Sequence, residues 1–269
     1  MKQASFDILG NIALFKFQKG VSSKAKREFA RKLLKKQSSV KTVLEKTGRF
    51  KGRLRKQTTK YIAGEKTKEA LYRENGCVFR FNIDSCYFSP RLSNEREEIS
   101  KMVKKGYEVL VMFAGVGPYP IVIAKNSKAK KVYSNEINRE ANKYAELNIG
   151  LNKVKDKVVL LNGDIKSVAN KIKKGLTVDD KRVPAKFDII VMPRPQLKDT
   201  FLHEAFSLSK NGTKVFYYDF CKEEEIPKIV EKIKSEALSA KKKIKVLKIK
   251  KAGEIAPYKF RIRVDFRVL

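Results

Sequence analysis

The chain has 269 residues, of which 42% are apolar, and 62 Lys+Arg stand against 29 Asp+Glu, a formal net charge of +33. That composition packs a core and excludes a chain too polar to fold. No stretch approaches the roughly 18 consecutive apolar residues of a membrane span, residues 1–17 lack a secretory h-region, and three cysteines with one histidine (His203) support neither a disulfide framework nor a zinc site. A soluble, intracellular protein is expected, a monomer with no membrane partner and no metal.

In chain order, residues 6–9 and 12–17 read as strands that turn at Gly10-Asn11, and Ser22 or Ser23 caps a basic helix to about Lys36. Residues 40–44 and 77–82 read as further strands, so residues 1–90 form a small α+β domain. This segment holds 22 Lys+Arg against 7 Asp+Glu, net +15, while the remainder, twice as long, carries net +18. Such an excess neutralises a run of phosphates and releases their counterions. A thermophile's solvated surface would enrich Lys and Glu together, so nucleic acid is the better partner.

Residues 91–269 alternate β-branched apolar runs with amphipathic stretches, the rhythm of a parallel sheet with crossover helices. Strands are predicted at 107–113, 131–134, 158–161, 187–192 and 214–219, with helices at 139–147, capped by Asn138, and at 223–238. The end differs: 244–249 and 260–268 flank a turn at 253–257, which predicts a terminal antiparallel hairpin.

The run Val109-Leu110-Val111-Met112-Phe113-Ala114-Gly115-Val116-Gly117-Pro118 is a hydrophobic strand ending in a Gly-x-Gly turn that opens a helix. Glycine lets a ligand press against bare backbone beside free N–H groups. Pro120 follows and no third glycine does, so a dinucleotide pyrophosphate cradle is not the natural reading. Glu136 ends the next strand, where an acid accepts from both hydroxyls of a ribose. Gly163-Asp164-Ile165 ends the third: Asp164 is placed either to accept from an adenine amino group or to cap a helix, and Ile165 to pack on the ring. Without a phosphate-binding lysine motif, the fitting ligand is S-adenosylmethionine.

With these residues the chain resembles the archaeal and eukaryotic tRNA (guanine-37-N1) methyltransferases, including the archaeal branch that acts in wyosine biosynthesis. The resemblance rests on Tyr87-Phe88-Ser89-Pro90-Arg91-Leu92-Ser93-Asn94-Glu95-Arg96, on the turn at 113–118, on Ser134-Asn135-Glu136-Ile137-Asn138 and on Asn162-Gly163-Asp164. It implies a class I, Rossmann-like methyltransferase fold with a mostly parallel seven-stranded sheet over residues 91–269. Where the family carries Asn-Leu-Pro or Asn-Pro-Pro after the fourth strand, this chain has Met192-Pro193-Arg194-Pro195, which favours the wyosine-associated branch. Many archaeal members carry a further N-terminal module that grips the tRNA elbow; this chain begins in the second module, so its basic first domain is expected to carry more of the recognition.

Guanine N1 holds a proton at neutral pH and becomes a good nucleophile as that proton leaves. The resemblance implies Glu95 as the base and Arg55 as the partner of O6, with Pro193 and Pro195 forming a rigid turn beneath the base. It implies Arg96, Phe113, Gly115, Gly117, Glu136, Ile137, Asp164 and Ile165 as cofactor contacts. Tyr87 and Phe88 would stack the extruded guanine, and Arg91 and Arg194 would hold RNA of the anticodon stem-loop. The plainer readings are a capping-box acid for Glu95, a surface i,i+4 pair for Arg96 and core packing for the two aromatics. Rival functions are methylation at C7 of the wyosine precursor 4-demethylwyosine alone, and RNA binding without catalysis.

Overall fold

The computed structural model describes residues 5–48, 52–194 and 196–269. Strands β1 (Ser5–Leu9) and β2 (Ile12–Lys16) form the expected hairpin, and helix α1 (Ser23–Lys36) returns the chain so that β3 (Thr42–Lys46) lies parallel to β2. Strand β4 (Thr59–Gly64) pairs antiparallel with β3 and completes the order β1-β2-β3-β4. The Ser22 hydroxyl accepts from the Ala25 N–H, and Lys35 and Lys36 face the carbonyl end of the helix. The four apolar residues Ile12-Ala13-Leu14-Phe15 are all buried because both faces of this sheet are covered. Ala13 and Phe15 pack toward α1, whereas Ile12 and Leu14 join the core of the larger sheet.

Strands β5 (Glu69–Glu74) and β6 (Cys77–Asn82) form a separate hairpin on Asn75-Gly76, with φ of +49° and +72°. Asn-Gly is a strong hairpin signal, and it lay unread beside the predicted strand at 77–82. Gly10 touches this hairpin so closely that a Cβ there would stand 1.8 Å from the Leu71 carbonyl oxygen, so only glycine fits.

The larger sheet contains β7 (Glu108–Val111), β8 (Lys131–Glu136), β9 (Val158–Asn162), β10 (Phe187–Met192), β11 (Ser209–Cys221), β12 (Ile244–Ala256) and β13 (Lys259–Val268). Its order is β12-β13-β11-β10-β7-β8-β9, with β13 antiparallel to β11 and to β12 and the other neighbours parallel. The Rossmann-like expectation therefore holds. The expected turn at 253–257 does not sit as predicted: β12 runs through to Ala256 and the chain reverses at Pro257-Tyr258. Gly253, at φ +123°, lies within a register shift between Lys251 and Glu254, a bulge that bends the strand without ending it.

Helices α2 (Ser93–Met102), α3 (Pro118–Asn126), α4 (Arg139–Leu151), α5 (Ile165–Lys173), α6 (Leu202–Ser207) and α7 (Ile226–Ser239) cover the sheet. Alternate residues along β7 and just past its end serve opposite faces, Val109 and Val111 on one core and Leu110 with Met112 on the other. Helix α4 also grips β6. The Asn152 amide accepts from Val78 N (2.8 Å) and donates to Val78 O (2.7 Å), and the Asn148 amide does the same for Arg80 at 2.7 and 3.1 Å. Residues one turn apart on the helix thus meet alternate residues of the strand, and two side-chain amides replace a neighbouring strand.

Candidate active site

Chain order reverses between β7 and β10, so the crevice beyond their carboxyl ends is where an open α/β sheet binds ligands. A cleft lies there, walled on the sheet side by Phe113, Gly115, Glu136, Ile137, Ile165 and Pro193. Arg53, Leu54 and Arg55, from the segment before β4, close it from the other side together with Tyr87.

The turn after β7 is held in an unusual conformation. Phe113 takes φ +57° and Gly115 φ +59°, and across the cleft Phe201 takes φ +58°. Bulky residues rarely adopt this region, and such backbone persists where surrounding structure imposes it, often at functional sites. The two rings meet edge-on with centroids 4.9 Å apart. Glu136 fixes the glycine turn: one oxygen accepts from Gly115 N at 2.8 Å and the other from Asn138 N at 2.8 Å. Burial pushes its carboxyl above the ordinary value, against the pull of those N–H groups. The carboxylate accepts only, and the acceptor capacity it keeps beyond these N–H groups fits a ribose hydroxyl.

Gly117 has a different task. It occupies the N-cap of α3 at φ +87° and its Cβ position faces Ile121 Cδ1 at 3.1 Å, so it seats the helix and does not line the cleft. Asp164 lies at the β9 end beside lining residues Gly163 and Ile165. Its Oδ1 caps α5 by accepting from Lys166 N at 2.9 Å, and its Oδ2 takes Arg53 Nη2 at 2.6 Å. Partial burial raises this carboxyl, but the Lys166 N–H and Arg53 outweigh it and hold the acid below its usual range.

The string at 87–96 divides its labour in ways that the sequence did not reveal. The Arg55 guanidinium lies 3.5 Å from the centre of the Tyr87 ring. Phe88 borders the cleft yet is 8% exposed, stacked on Phe81 at 4.6 Å and tilted against Tyr72 and Phe79, so its ring is core. Arg91 is exposed and pairs with Asp7 at 3.2 Å. Arg96 is not a surface i,i+4 pair: it is 1% exposed, forked onto Glu74 of β5 and bonded to the Ser89 carbonyl at 3.0 Å, with part of its side chain in the cleft wall. Glu95 is neither a capping acid nor a lining residue. It points at the sheet, where Oε2 meets Arg263 Nη1 at 2.6 Å and the Tyr218 hydroxyl at 2.9 Å, while Oε1 meets Lys250 Nζ at 2.7 Å.

Arg194 is turned into the protein. It is 5% exposed and paired with Asp219; it donates to the Tyr217 hydroxyl at 3.1 Å and to the carbonyls of Leu197 (2.9 Å) and Asp199 (3.1 Å). It thereby fastens the segment after Pro193 to β11. Pro195 lies outside the described residues. Sequence reasoning missed Tyr119, Arg53, Leu197 and Phe201 in the cleft wall. Tyr119 stood beside the Gly-x-Gly-Pro turn and was passed over as helix; Phe201 and Leu197 carry no local signal.

Two family models cover the chain: the TYW2 N-terminal domain over residues 2–67 and the TRM5/TYW2 methyltransferase domain over residues 70–247. The chain belongs to the TRM5/TYW2 methyltransferase family. It is 36% identical over 265 residues to tRNA (guanine(37)-N(1))-methyltransferase Trm5b of Pyrococcus abyssi, covering 98% of this chain and 74% of that protein. It is 33% identical to the tRNA (guanine(37)-N(1))/4-demethylwyosine(37)-methyltransferase Taw22 of Nanoarchaeum equitans, covering 98% of this chain and all of that one. The solved complex of aTrm5 with tRNALeu superposes with a TM-score of 0.81 at 28% identity, over 98% of this chain and 72% of that one. Members of this family are S-adenosylmethionine-dependent. Among the described residues no helix is long and apolar enough to cross a membrane.

Proposed function

We propose that this protein transfers a methyl group from S-adenosylmethionine to N1 of guanosine 37 in the anticodon loop of tRNA, and to C7 of the wyosine precursor 4-demethylwyosine at the same position. One observation carries the reading: a single cleft gathers Gly115, Glu136 and Ile165, suited to an adenosine, and faces them with Arg55, Tyr87 and Pro193, suited to a guanine. Family membership and the dual name of the Nanoarchaeum relative support it further.

Gly115, Glu136, Ile137, Asp164 and Ile165 hold the cofactor; when bound it supplies an electrophilic methyl on a sulfonium. The protein's own work is alignment and proton management. Arg55 stands over the Tyr87 ring, where a guanidinium meets the charge that develops on O6 as N1 loses its proton. Pro193, positioned by the Arg194 anchor, offers a rigid edge to the base. Glu95 receives the N1 proton indirectly. Tyr119 lines the cleft and its hydroxyl donates to Tyr218 at 3.0 Å, which donates to Glu95 at 2.9 Å. Each hydroxyl takes one proton and passes one on, and the net result is a proton moved from N1 to Glu95 Oε2.

A second reading, methylation at C7 alone, is favoured by Pro193. This residue lines the cleft where the family pattern places an amide, so no side-chain amide is available there to bond the base. Nucleoside mass spectrometry of tRNA treated with the protein, using unmodified and precursor-bearing substrates, separates the readings. Methylguanosine from the first substrate supports the dual function, methylation of the second alone supports the C7 reading, and neither product with either substrate overturns both.

A further inference from the structure

We propose that a second cavity, divided from the cleft by Tyr87, receives a nucleotide next to the methylated one. This rests on the RNA reading above and names a site that reading leaves open.

The cavity measures about 270 Å³ and shares Tyr87, Phe88 and Ser89 with the cleft. It lies where the small four-stranded sheet meets the larger one. Leu9, Leu14, Phe81 and Ile83 supply buried apolar walls, and β12 at Gly253 and Ile255 closes a side. Arg91, 65% exposed, and Lys46 reach its mouth, where Asp7 accepts from both. The third basic residue, Arg261, is buried against the Phe220 ring and directs Nη2 at the Tyr87 hydroxyl, 3.5 Å away.

An apolar interior with guanidinium and ammonium groups at its opening suits a flat base with a phosphate attached. A base gains by stacking and burial, and a phosphate by forked and point-charge contacts. At about 270 Å³ the cavity lies just below the range of roughly 300 to 1,000 Å³ that holds drug-sized molecules, a size that suits a single base. Covalent continuity favours the same occupant. A guanine held in the cleft is joined by one phosphodiester to each neighbour, and only the Tyr87 segment separates the cleft from this cavity. Loop bases are unpaired and are commonly splayed onto aromatic side chains. Arg55 over one side of Tyr87 and Arg261 at its hydroxyl thus place cations on both sides of the wall that the backbone would cross.

The test is equilibrium binding of anticodon stem-loops to the full chain, without methyl transfer. Three RNAs are compared: intact, abasic at the 5′ neighbour of position 37, and abasic at the 3′ neighbour. One abasic loop is expected to bind roughly five- to a hundredfold more weakly, the usual loss for one stacked base, and which one identifies the neighbour. Ala252→Leu and Ile255→Phe, which fill the cavity from β12, are expected to abolish that difference. Ile255 is 37% exposed, so the second variant reports even where the first fails to fold. Equal binding of all three RNAs, or a penalty that survives in a folded filled variant, overturns the subsite and leaves the methyltransferase reading intact. Failure of the intact loop to bind overturns both.

Discussion

The Tyr218 hydroxyl donates to Glu95 Oε2 at 2.9 Å, and this contact joins Glu95 to a cleft it does not itself line. The same hydroxyl accepts from Tyr119, whose phenol burial pushes up to about 12. Both phenols therefore keep their protons at neutral pH, the state in which a hydroxyl can pass one proton while taking another. Tyr218→Phe removes this link and leaves the Arg263 and Lys250 pairs of Glu95 in place.

Single-turnover methylation of guanosine by Tyr218→Phe and by Glu95→Gln is expected to fall by roughly 10² to 10⁴, the usual cost of losing a general base, with S-adenosylmethionine and tRNA binding retained. Raising the pH should restore part of the rate as hydroxide deprotonates N1. Attack by C7 of the tricyclic precursor need not begin with loss of that proton, so a smaller defect is expected there. If Tyr218→Phe is silent while Glu95→Gln weakens cofactor binding, Glu95 is a structural anchor for α2.

Glu136 carries the next expectation. Glu136→Ala should weaken S-adenosylmethionine binding by about 1–3 kcal/mol, the cost of lost charge-assisted hydrogen bonds, as read by calorimetry. Because burial raises this carboxyl above its ordinary 4.5, protonation on acidification begins at a higher pH than for a free glutamate. The protonated form is a poorer acceptor for ribose hydroxyls. Affinity should therefore decline with falling pH while still above 4.5, and the decline should be absent in Glu136→Gln.

How the sequence foretold this site depended on whether function lay in the backbone pattern or in tertiary pairing. Gly115, Glu136 and Ile165 were legible because strand ends of a parallel sheet place such residues at one edge. The burial of Arg194 and Arg96 was not legible because it depends on acids distant in sequence, Asp219 and Glu74, that no local pattern links to them. Glu95 shows the same limit: its partners Tyr218, Lys250 and Arg263 all come from the last three strands. The bulged course of β12 was likewise hidden, since Gly253 and Pro257 signal a turn equally well at either position.

Glu98 ties α2 to the same strands and gives stability a pH dependence. Hydrogen bonds from Arg263, then from Lys250 and Lys248, outweigh burial and hold its carboxyl down to about 2, against an ordinary 4.5. A carboxyl depressed on folding contributes stability that is complete above the unfolded value and lost as pH falls through the folded one. The difference in unfolding free energy between the wild type and Glu98→Gln should thus be constant above about pH 5.5 and shrink from 4.5 toward 2. Denaturant titrations at pH 7 and pH 3 measure it; an equal difference at both would place the effect in packing.

The last expectation concerns charge. Residues 1–90 carry net +15, and α1 ends in the exposed pair Lys35 and Lys36. If these cations meet phosphates, binding releases counterions, and the logarithm of tRNA affinity should fall linearly with the logarithm of salt concentration. Each phosphate contact contributes a slope of about −0.7 on single strands and −0.9 on duplex. S-adenosylmethionine is small and carries no phosphate, so its affinity should change little over the same range. Reversing Lys35 and Lys36 to glutamate should flatten the tRNA slope by roughly the two contacts removed and leave cofactor affinity unchanged. A slope identical to wild type would place α1 away from the RNA and assign the binding charges to the loop of Arg53 and Arg55 and to the rim at Arg91.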